Sequence, residues 1–430
     1  MSSKSKPLTP EDGGAVTVTP VLRFPEFLNA EGWKETLLQK IARPVKERAT
    51  TEDAENVLSL SGEHGLVLQS DYFGKKIAGD STDRYLKIRK DDFVYNDRIT
   101  KASSFGTIKR LSNYAGGIVS PIYKCFRFQP SENPVFWECY FASGSHDPAL
   151  GRLVNEGARA GRFNISVTQF LSTNAWRADG PEQQKIADCL ASVDALIAAQ
   201  GRKVESLRAH KNGLMQQLFP QEGETQPRLR FPEFEGAGEW EEKSVGDFGQ
   251  VVTGSTPSTS DPTLYGGAIP FVSPADISEL RYIDATKKTL TEAGFQKSRP
   301  VRAGSVLFVC IGSTIGKIAQ NVRDCVTNQQ INAVIPDAMH SDEFVYFALS
   351  NASDRIALLA GKQAVPIINK SLFSAVRLLV PDLAEQQRIA ECLSSLDDLI
   401  AAETRKLDML GTHKKGLMQQ LFPSIDESQS

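Results

Sequence analysis

Residues 181–220 read PEQQKIADCLASVDALIAAQGRKVESLRAHKNGLMQQLFP, and residues 384–423 read AEQQRIAECLSSLDDLIAAETRKLDMLGTHKKGLMQQLFP. Aligned without gaps, 26 of the 40 positions are identical, which is far beyond chance. Apolar residues recur in alternating steps of four and three, as at Ile186, Leu190 and Val193. This spacing is sustained through both copies, so it predicts a long coiled-coil helix in each.

A second duplication precedes each helix. Residues 23–33 read RFPEFLNAEGW and residues 230–240 read RFPEFEGAGEW, whereas the stretches 34–180 and 241–383 look unrelated. A period near 205 residues is too long for a solenoid, so the chain is a duplicated unit of one globular domain and one helix. The predicted boundaries are a disordered tail 1–22, a first domain 23–180, a first helix 181–220, a linker 221–229, a second domain 230–380, a second helix 381–423 and a tail 424–430.

Composition excludes several classes of protein. Hydrophobic residues make up 40% of the 430 residues, enough for buried cores. The 49 Lys and Arg against 52 Asp and Glu exclude a wholly basic nucleic-acid binder. The six cysteines are scattered without a CxxC pair, which argues against a zinc ribbon or disulfide framework. With a polar start and no apolar run long enough for a membrane helix, we expect a cytoplasmic protein that does not enter a membrane.

The two helices are predicted to pair with each other, antiparallel. Their polar seam residues favour a register in which facing residue numbers sum to 614, with these pairs: Lys211 and Glu403, Gln200 and Lys414, Leu207 and Leu407. A slip of one heptad would set Glu403 against Val204 and Lys414 against Val193, and burying a charge against an apolar partner is costly. Alternatively, the two lysines extend to water and specify no register.

Short β-rich runs and turns alternate in both domains. The second domain has strand patterns at 304–312 and 330–336 and a helical pattern at 344–361. Runs in the first domain play similar parts, at 92–97, 116–123 and 135–143. The predicted fold class is α/β (α+β): two globular domains with partly barrel-like sheets, joined by two long antiparallel coiled-coil helices in an internal pseudo-twofold repeat. Asp382 is expected to cap the second helix, with Glu385 as its reciprocal partner. Trp33, Trp240 and the Phe-Pro pairs at 24–25 and 231–232 are expected to be packing anchors.

Catalytic motifs are missing from the sequence. Gly312–Lys317 resembles a phosphate loop, but it is one residue short and Ile318 replaces the Ser or Thr that would hold magnesium. There is no glycine-rich dinucleotide or adenosyl motif, no G-x-S-x-G and no paired-histidine metal spacing. We therefore predict no catalytic residue and no metal ligand in this chain.

Several of these motifs resemble one family. The opening RFPEF with its later Trp, the EQQKIA and EQQRIA helix starts, both GLMQQLFP endings and the stretches 251–277 and 327–336 are similar to the specificity (S) subunit of type I restriction-modification enzymes. The resemblance covers residues 23–423. It implies two target recognition domains, each reading one half of a split site in double-stranded DNA. It also implies a helical spacer that docks two modification methyltransferase subunits, with restriction and translocase subunits in the full assembly.

The same resemblance implies a non-catalytic chain without cofactors. S-adenosylmethionine, ATP and magnesium would be bound by the partner subunits, which carry out adenine N6 methylation or restriction. Physical dimensions agree, because a helix of about 48 Å spans about 14 base pairs at 3.4 Å each. Charge is less favourable: residues 34–180 hold 21 Lys and Arg against 17 Asp and Glu, and residues 243–383 hold 13 against 12. We therefore expect the methyltransferases to supply much of the affinity and this chain to supply base reading.

Base reading requires amide, hydroxyl, Lys or Arg side chains on loops that reach a groove. In the first domain the candidates are Lys75, Lys76, Arg98, Lys101, Ser103, Ser104, Lys109 and Arg110. In the second domain they are Thr253, Ser255, Thr256, Ser258, Ser313, Thr314, Lys317, Asn328, Gln329 and Gln330. The alternative for each is an ordinary solvated loop residue. For the whole chain, the alternatives are a coiled-coil adaptor without base-specific DNA contact and a stand-alone DNA methyltransferase, whose adenosyl motif is missing from the sequence.

Overall fold

The computed structural model describes residues 16–50, 56–73, 82–99, 103–153, 163–361 and 365–424. The chain divides into two compact units. Unit 1 comprises residues 1–199 with 407–430, and unit 2 comprises residues 200–406. Each unit therefore contains one globular domain together with a segment of both long helices.

The first domain is a mixed α/β structure. Its described strands are β1 (Thr17–Val18), β2 (Trp33–Leu37), β3 (Ala42–Pro44), β4 (Val57–Ser61), β5 (Gly65–Leu68), β6 (Leu86–Arg89), β7 (Phe93–Asn96), β8 (Thr107–Arg110), β9 (Gly116–Val119), β10 (Lys124–Phe128) and β11 (Asn174–Arg177). Its described α-helices are α1 (Leu38–Ile41), α2 (Gln69–Phe73), α3 (Pro134–Ala142), α4 (Asp147–Gly151) and α5 (Val167–Leu171). The run 135–143 is thus a helix, matching the helical run of the second domain.

The described strands of this domain form three sheets. Their strand orders are β1-β2-β11, β3-β10-β7-β8 and β5-β4-β9-β6, and only β4 and β9 pair in parallel among these described strands. The aromatic side chains Phe93, Phe126, Phe136, Trp137 and Phe170 are fully buried between sheet and helices. Burial of such large apolar groups is the main stabilising contribution to the domain.

The predicted disordered tail 1–22 is wrong in its last part. Thr17 and Val18 form β1, which pairs antiparallel with Lys34 and Trp33 of β2. Val18 is buried in the core of the domain. Two residues are too few for a sequence pattern, so only the tertiary contact identifies this strand. Residues 1–15 lie outside the described part of the chain.

Helix α6 spans Gly180–Leu218, which confirms the first predicted long helix. The second domain follows it, with the described strands β12 (Glu241–Ser244), β13 (Gly249–Thr253), β14 (Tyr265–Val272), β15 (Tyr282–Ile283), β16 (Lys288–Leu290), β17 (Pro300–Val301), β18 (Val306–Val309), β19 (Ile318–Asn321), β20 (Cys325–Thr327), β21 (Ile331–Pro336) and β22 (Arg377–Val380). Its described α-helices are α7 (Glu292–Gln296), α8 (Asp342–Asn351), α9 (Ser353–Ala357) and α10 (Lys370–Ser374). The single helix predicted over 344–361 is therefore interrupted at Ala352.

The second domain also has three described sheets. Their orders are β12-β22, β13-β21-β18-β19-β15 and β16-β14-β20-β17. The five-stranded sheet is antiparallel except where β15 pairs with β19, and it packs against α8, whose Phe344 and Phe347 are fully buried. Helix α11 (Leu383–Leu421) follows the domain and is the second predicted long helix. The predicted fold class, two mixed domains with two long helices, is confirmed.

Candidate DNA-recognition loops and helix pair

Each RFPEF segment is tied to the start of a long helix by a buried ion pair. In unit 1, the Arg23 guanidinium donates from Nε and Nη2 to the two carboxylate oxygens of Glu182, both at 2.7 Å. It also donates to the backbone carbonyls of Ala30 and Glu31, each at 2.8 Å. The side chains of Arg23 and Glu182 are only 4% and 3% exposed. Because the fork of the guanidinium is almost filled with acceptors, the pair fixes the domain against the helix.

Unit 2 contains the same arrangement at the repeat-equivalent positions. Arg230 donates to the two oxygens of Glu385 at 2.8 and 2.7 Å, and to the carbonyls of Ala237 and Gly238. We call these two ion pairs the domain anchors. Asp382 caps the helix as predicted, accepting from the Glu385 N–H at 2.9 Å. The reciprocal role predicted for Glu385 is wrong, because its carboxylate is engaged by Arg230.

The glutamine that follows each anchor glutamate joins the same helix to a second helix of the domain. Gln183 accepts from the backbone N–H of Asn133, the residue before α3, at 3.0 Å. Gln386 accepts from the N–H of Ser341, the residue before α8, also at 3.0 Å. The first two residues of the repeated EQQ motif thus form one ion pair and one contact with the start of a second helix in each unit.

The GLMQQLFP endings close the hydrophobic core of each unit. In unit 1, Phe422 packs edge-on against Trp33, with ring centroids 6.0 Å apart. In unit 2, Phe219 packs against Trp240 at 6.1 Å and stacks on Phe344 at 5.6 Å. Trp33 and Trp240 are both buried, so the prediction that they are packing anchors is confirmed.

The helix pairing uses a register other than the predicted one. In unit 2, Lys211 donates to Asp397 at 2.5 Å, and Glu403 accepts from Gln200 at 2.7 Å. In unit 1, Lys414 donates to Asp194 at 2.6 Å. The predicted pairs Lys211–Glu403 and Gln200–Lys414 are therefore wrong.

The observed ion pairs explain why the rejected slip is acceptable. Lys211–Asp397 and Lys414–Asp194 are repeat equivalents, and the residue numbers of each pair sum to 608. Asp194 directly follows the seam residue Val193, so the lysine ammonium reaches past the apolar side chain to a carboxylate beside it. Leu207 and Leu407 belong to different units, and their pairing stays a prediction.

Two recognition-loop segments of the second domain meet beyond the ends of β13 and β20. The Thr256 hydroxyl donates to the Gln329 amide oxygen at 2.7 Å, and both residues are exposed. The Thr253 hydroxyl donates to Asn332 at 2.7 Å. Candidates that are more than 70 residues apart in sequence thus lie on one surface.

Gly254 allows this close approach of the two segments. A Cβ atom at position 254 would lie 2.1 Å from the Asn328 carbonyl oxygen, so no other residue fits without moving the backbone. The neighbouring Ser255 N–H donates to the Thr327 carbonyl at 2.9 Å, and the Ser255 hydroxyl is buried. Gly254 and Ser255 therefore shape the loop surface that presents Thr256 and Gln329.

A third loop adjoins this surface. Asn328 donates to Gln330 at 3.0 Å, and Gln330 donates to the carbonyl of Ile311 at 3.4 Å, next to the predicted residues Ser313 and Thr314. Lys317 is exposed and donates to the carbonyl of Ile277 at 3.2 Å. Ser258 is exposed and shares a hydrogen bond with Ser260 at 2.8 Å.

The first-domain candidates are more dispersed. Arg110 forms ion pairs with Glu138 at 2.8 Å and Asp91 at 2.6 Å, and its side chain is 13% exposed. Two carboxylates thus engage the Arg110 guanidinium inside the domain, and its contact with DNA stays a prediction. Arg98 and Ser104 are exposed, Lys109 is half-buried on β8, and the Ser103 hydroxyl donates to the Gly106 carbonyl. Lys75, Lys76 and Lys101 lie outside the described residues.

Comparison with known proteins agrees with this architecture. Residues 237–411 match the type I restriction modification DNA specificity domain. The chain is 34% identical over 147 residues to the type I restriction enzyme HindI specificity subunit of Haemophilus influenzae, covering 33% of this chain and 32% of the relative. It is 30% identical over 178 residues to the type I restriction enzyme MjaIX specificity subunit of Methanocaldococcus jannaschii, covering 40% of this chain and 41% of the relative.

Residues 237–411 thus form a type I restriction modification DNA specificity domain, and the chain is similar to type I specificity subunits. The aligned stretches span less than half the length of each of these two relatives. A crystal structure of the type I S subunit from M. genitalium has the same fold, with a TM-score of 0.57, 15% identity, and coverage of 95% of this chain and 100% of that one. The matched region 237–411 contains the second-domain loops and most of α11.

Two arginines, one at the edge of the loop surface and one at the helix contact, were not among the residues predicted from the sequence. Arg299 is exposed and donates to the carbonyl of Thr253 at 2.9 Å, at the edge of the loop surface. Arg299 directly precedes Pro300 and β17. A cation at the start of a strand could have been recognised in the sequence as a candidate for DNA contact. Arg281 is buried against α11, and no local pattern indicates that contact.

Neither a membrane-spanning helix nor a metal-binding cluster occurs among the described residues. None of the described helices has the length and apolar character needed to cross a membrane. No described group of three or more His, Cys, Asp or Glu side chains could hold a metal ion.

Proposed function

We propose that this chain is the DNA-reading subunit of a type I restriction-modification enzyme and that each domain reads one half of a gapped, two-part site. The observation that carries the proposal is the duplicated attachment of two unlike domains. Arg23–Glu182 and Arg230–Glu385 hold the domains by identical chemistry, while the stretches between the shared motifs differ in sequence. Constant attachment with divergent surfaces is what an asymmetric bipartite target requires.

The second-domain loops have the chemistry for base reading. Thr256 and Gln329 are exposed and joined to each other, so the amide is oriented before DNA arrives. Amide and hydroxyl groups contact base edges, whereas Lys317 and Arg299 at the surface suit phosphate. Preorganised side chains lose less conformational entropy on binding.

The long helices supply the spacer and the docking surface for two modification methyltransferase subunits. Their outward positions are duplicated although the fold does not require it: Ser192, Leu196 and Ala199 recur as Ser395, Leu399 and Ala402. Leu196 is 57% exposed and Leu399 is 41% exposed, and both are therefore available to a partner. Three identical exposed residues in each copy favour two copies of the same partner.

Catalysis then belongs to the partners. The methyltransferases would bind S-adenosylmethionine and modify adenine at N6. Restriction and translocase subunits, where present, would bind ATP and magnesium. This chain would be a non-catalytic subunit that directs either activity to its double-stranded DNA target.

The test is the methylation pattern of the assembled enzyme. The full chain would be co-expressed with its methyltransferase partner, and N6-methyladenine would be mapped by single-molecule sequencing. A matched pair of chimaeras would carry either residues 230–380 or residues 23–180 from another specificity subunit. The proposal expects a gapped site in which each chimaera changes one half, and not the same half.

Two outcomes would favour other functions. Methylation unaffected by either exchange, with no sequence preference in a gel shift of the assembled complex, would indicate a coiled-coil adaptor. Methylation by this chain alone, without the partner, would indicate a stand-alone methyltransferase.

A further inference from the structure

Arg281 is a buried cation in unit 2 with contacts on both a sheet and a long helix. It lies directly before β15 and is 6% exposed. Its guanidinium donates twice to the side-chain oxygen of Gln320 on β19, at 3.0 and 2.7 Å. These bonds fix Arg281 within the second domain.

The same guanidinium reaches the helices. Nη1 donates to the Ser394 hydroxyl of α11 at 2.7 Å and lies 3.7 Å from the Asp397 carboxylate. Asp397 also accepts from Lys211 of α6 at 2.5 Å. One carboxylate thus joins the domain to the segments of both helices within unit 2.

Aromatic rings enclose the guanidinium. Tyr282, Tyr346 and Phe347 have ring centroids 4.6, 4.9 and 4.7 Å from its central carbon. A planar cation stacks on such rings, and a lysine ammonium does not reproduce that geometry. Removing the cation would leave Asp397 facing an apolar wall with Lys211 as its remaining partner.

The contact of Arg281 with α11 lies far along the helix from the domain anchor. The domain anchor engages Glu385, and Arg281 engages the helix twelve residues further on, at Asp397. Twelve residues of helix correspond to about 18 Å, so the two contacts hold the domain at well-separated points. The domain also packs on both helix segments through its core, and a second polar contact this far from the anchor restrains rotation about it.

Unit 1 is different at the equivalent positions. Asp194 corresponds to Asp397, is 52% exposed, and within the described part of unit 1 its carboxylate pairs with Lys414. Ala191 replaces Ser394 and has no hydroxyl to accept a hydrogen bond. The second contact is therefore specific to the second domain among the described residues.

We propose that Arg281 is a positioning residue that fixes the angle of the second domain on its helices and thereby the half-site spacing that the enzyme accepts. The inference rests on the proposed function. A change of one base pair moves a half-site by about 3.4 Å along the duplex and turns it by about 35°, so a fixed angle excludes neighbouring spacings.

The experiment measures spacing preference directly. The full chain with its methyltransferase partner would methylate duplexes that share both half-sites but have spacers one or two base pairs shorter or longer. We expect wild type to prefer its own spacing by about tenfold or more over the next, and R281M and D397N to reduce that preference below about threefold. D194N is the matched control from unit 1, and its profile should keep the wild-type shape. R281K, which retains charge without the fork, should fall between wild type and R281M.

The spacing profile separates positioning from simple loss of stability. A variant that only folds less well would lower methylation at every spacing by the same factor and leave the preference intact. That result for both R281M and D397N would overturn the proposal, and D397N covers the case in which R281M folds poorly. If wild type itself showed no gapped target, the proposed function would fail, and the positioning role with it.

Discussion

The buried domain anchors join residues that are remote in sequence. Arg23 and Glu182 are 159 positions apart, yet two hydrogen bonds of 2.7 Å connect them. A buried ion pair gives little net stability compared with a well-packed apolar pair, but removing one partner leaves the other charge buried and unpaired. The anchor is therefore a device for fixing geometry, and breaking it should be costly.

We predict that E182Q destabilises unit 1 by about 3–5 kcal/mol, because the Arg23 guanidinium would face an amide instead of a carboxylate. The double variant R23M/E182M should recover much of the loss. Urea denaturation followed by tryptophan fluorescence measures both. K34A is the control, because Lys34 pairs with Glu31 in solvent and its loss should leave the midpoint unchanged. Equal midpoints for E182Q and K34A would contradict the structural role of the anchor.

His146 predicts a second effect at this scale. It is buried beside Phe141 and Phe170, and its Nε2 lies 3.1 Å from the Thr173 hydroxyl. Burial, with a smaller contribution from the Arg152 charge, lowers the pKa of His146 from 6.5 to about 3. Between pH 6.5 and about pH 3, the His146 imidazole is therefore protonated in the unfolded chain but neutral in the folded chain.

The free energy of unfolding is therefore unaffected by the titration of His146 above pH 6.5. It decreases as the pH falls from 6.5 toward 3, by up to about 1.4 kcal/mol per pH unit. H146Q removes the titrating group, so its free energy of unfolding should fall less steeply between pH 6 and 4. Denaturation midpoints across that range test this. H210Q, at an exposed helix position, is the control for replacing a histidine outside the core.

At the scale of elements, the sequence predicted the two long helices but not their register. Heptad patterns identify helices reliably, yet a slip of seven residues preserves every apolar match. The choice depends on Asp194 and Asp397, which stand beside the seam and not in it. The register was predicted from seam residues alone, so it did not include the carboxylates beside the seam that pair with Lys211 and Lys414.

The observed register predicts which side chains are energetically coupled. In unit 2, a double-mutant cycle with K211A and D397A should give a coupling of about 1 kcal/mol, since the two side chains are only 16% and 15% exposed. The matched cycle with K211A and E403A should give none, because Glu403 bonds Gln200 and Lys203. Unfolding in urea measures each cycle, and the reverse ranking would restore the register that sums to 614.

At the scale of the whole molecule, the duplication predicted the domains, the helices and the linker, because repeated motifs mark boundaries without any structural knowledge. Side-chain chemistry and loop position selected the candidates Thr256 and Gln329, which the structure brings together. What the sequence could not give were partners that depend on folding. Arg110 looked like a free loop cation but pairs with Glu138, and Arg281 lies among loop residues yet contacts α11. Charge and loop position indicate exposure only when no carboxylate is near in space.

The duplicated outward face of the helices leads to the last prediction. Leu196 and Leu399 are exposed leucines at equivalent positions, and exposed apolar side chains that recur in both copies favour a partner surface. The proposed docking of two methyltransferase subunits predicts that L196D and L399D each reduce the bound subunits from two copies to one, and that the double variant binds none. M409D is the control: Met409 is 71% exposed on α11, but its repeat equivalent is Ser206. Native mass spectrometry of the assembled complex counts the subunits. If the double variant still bound two copies, the docking surface would lie elsewhere on the chain. Loss of one copy with each substitution would show that each helix repeat binds one methyltransferase subunit.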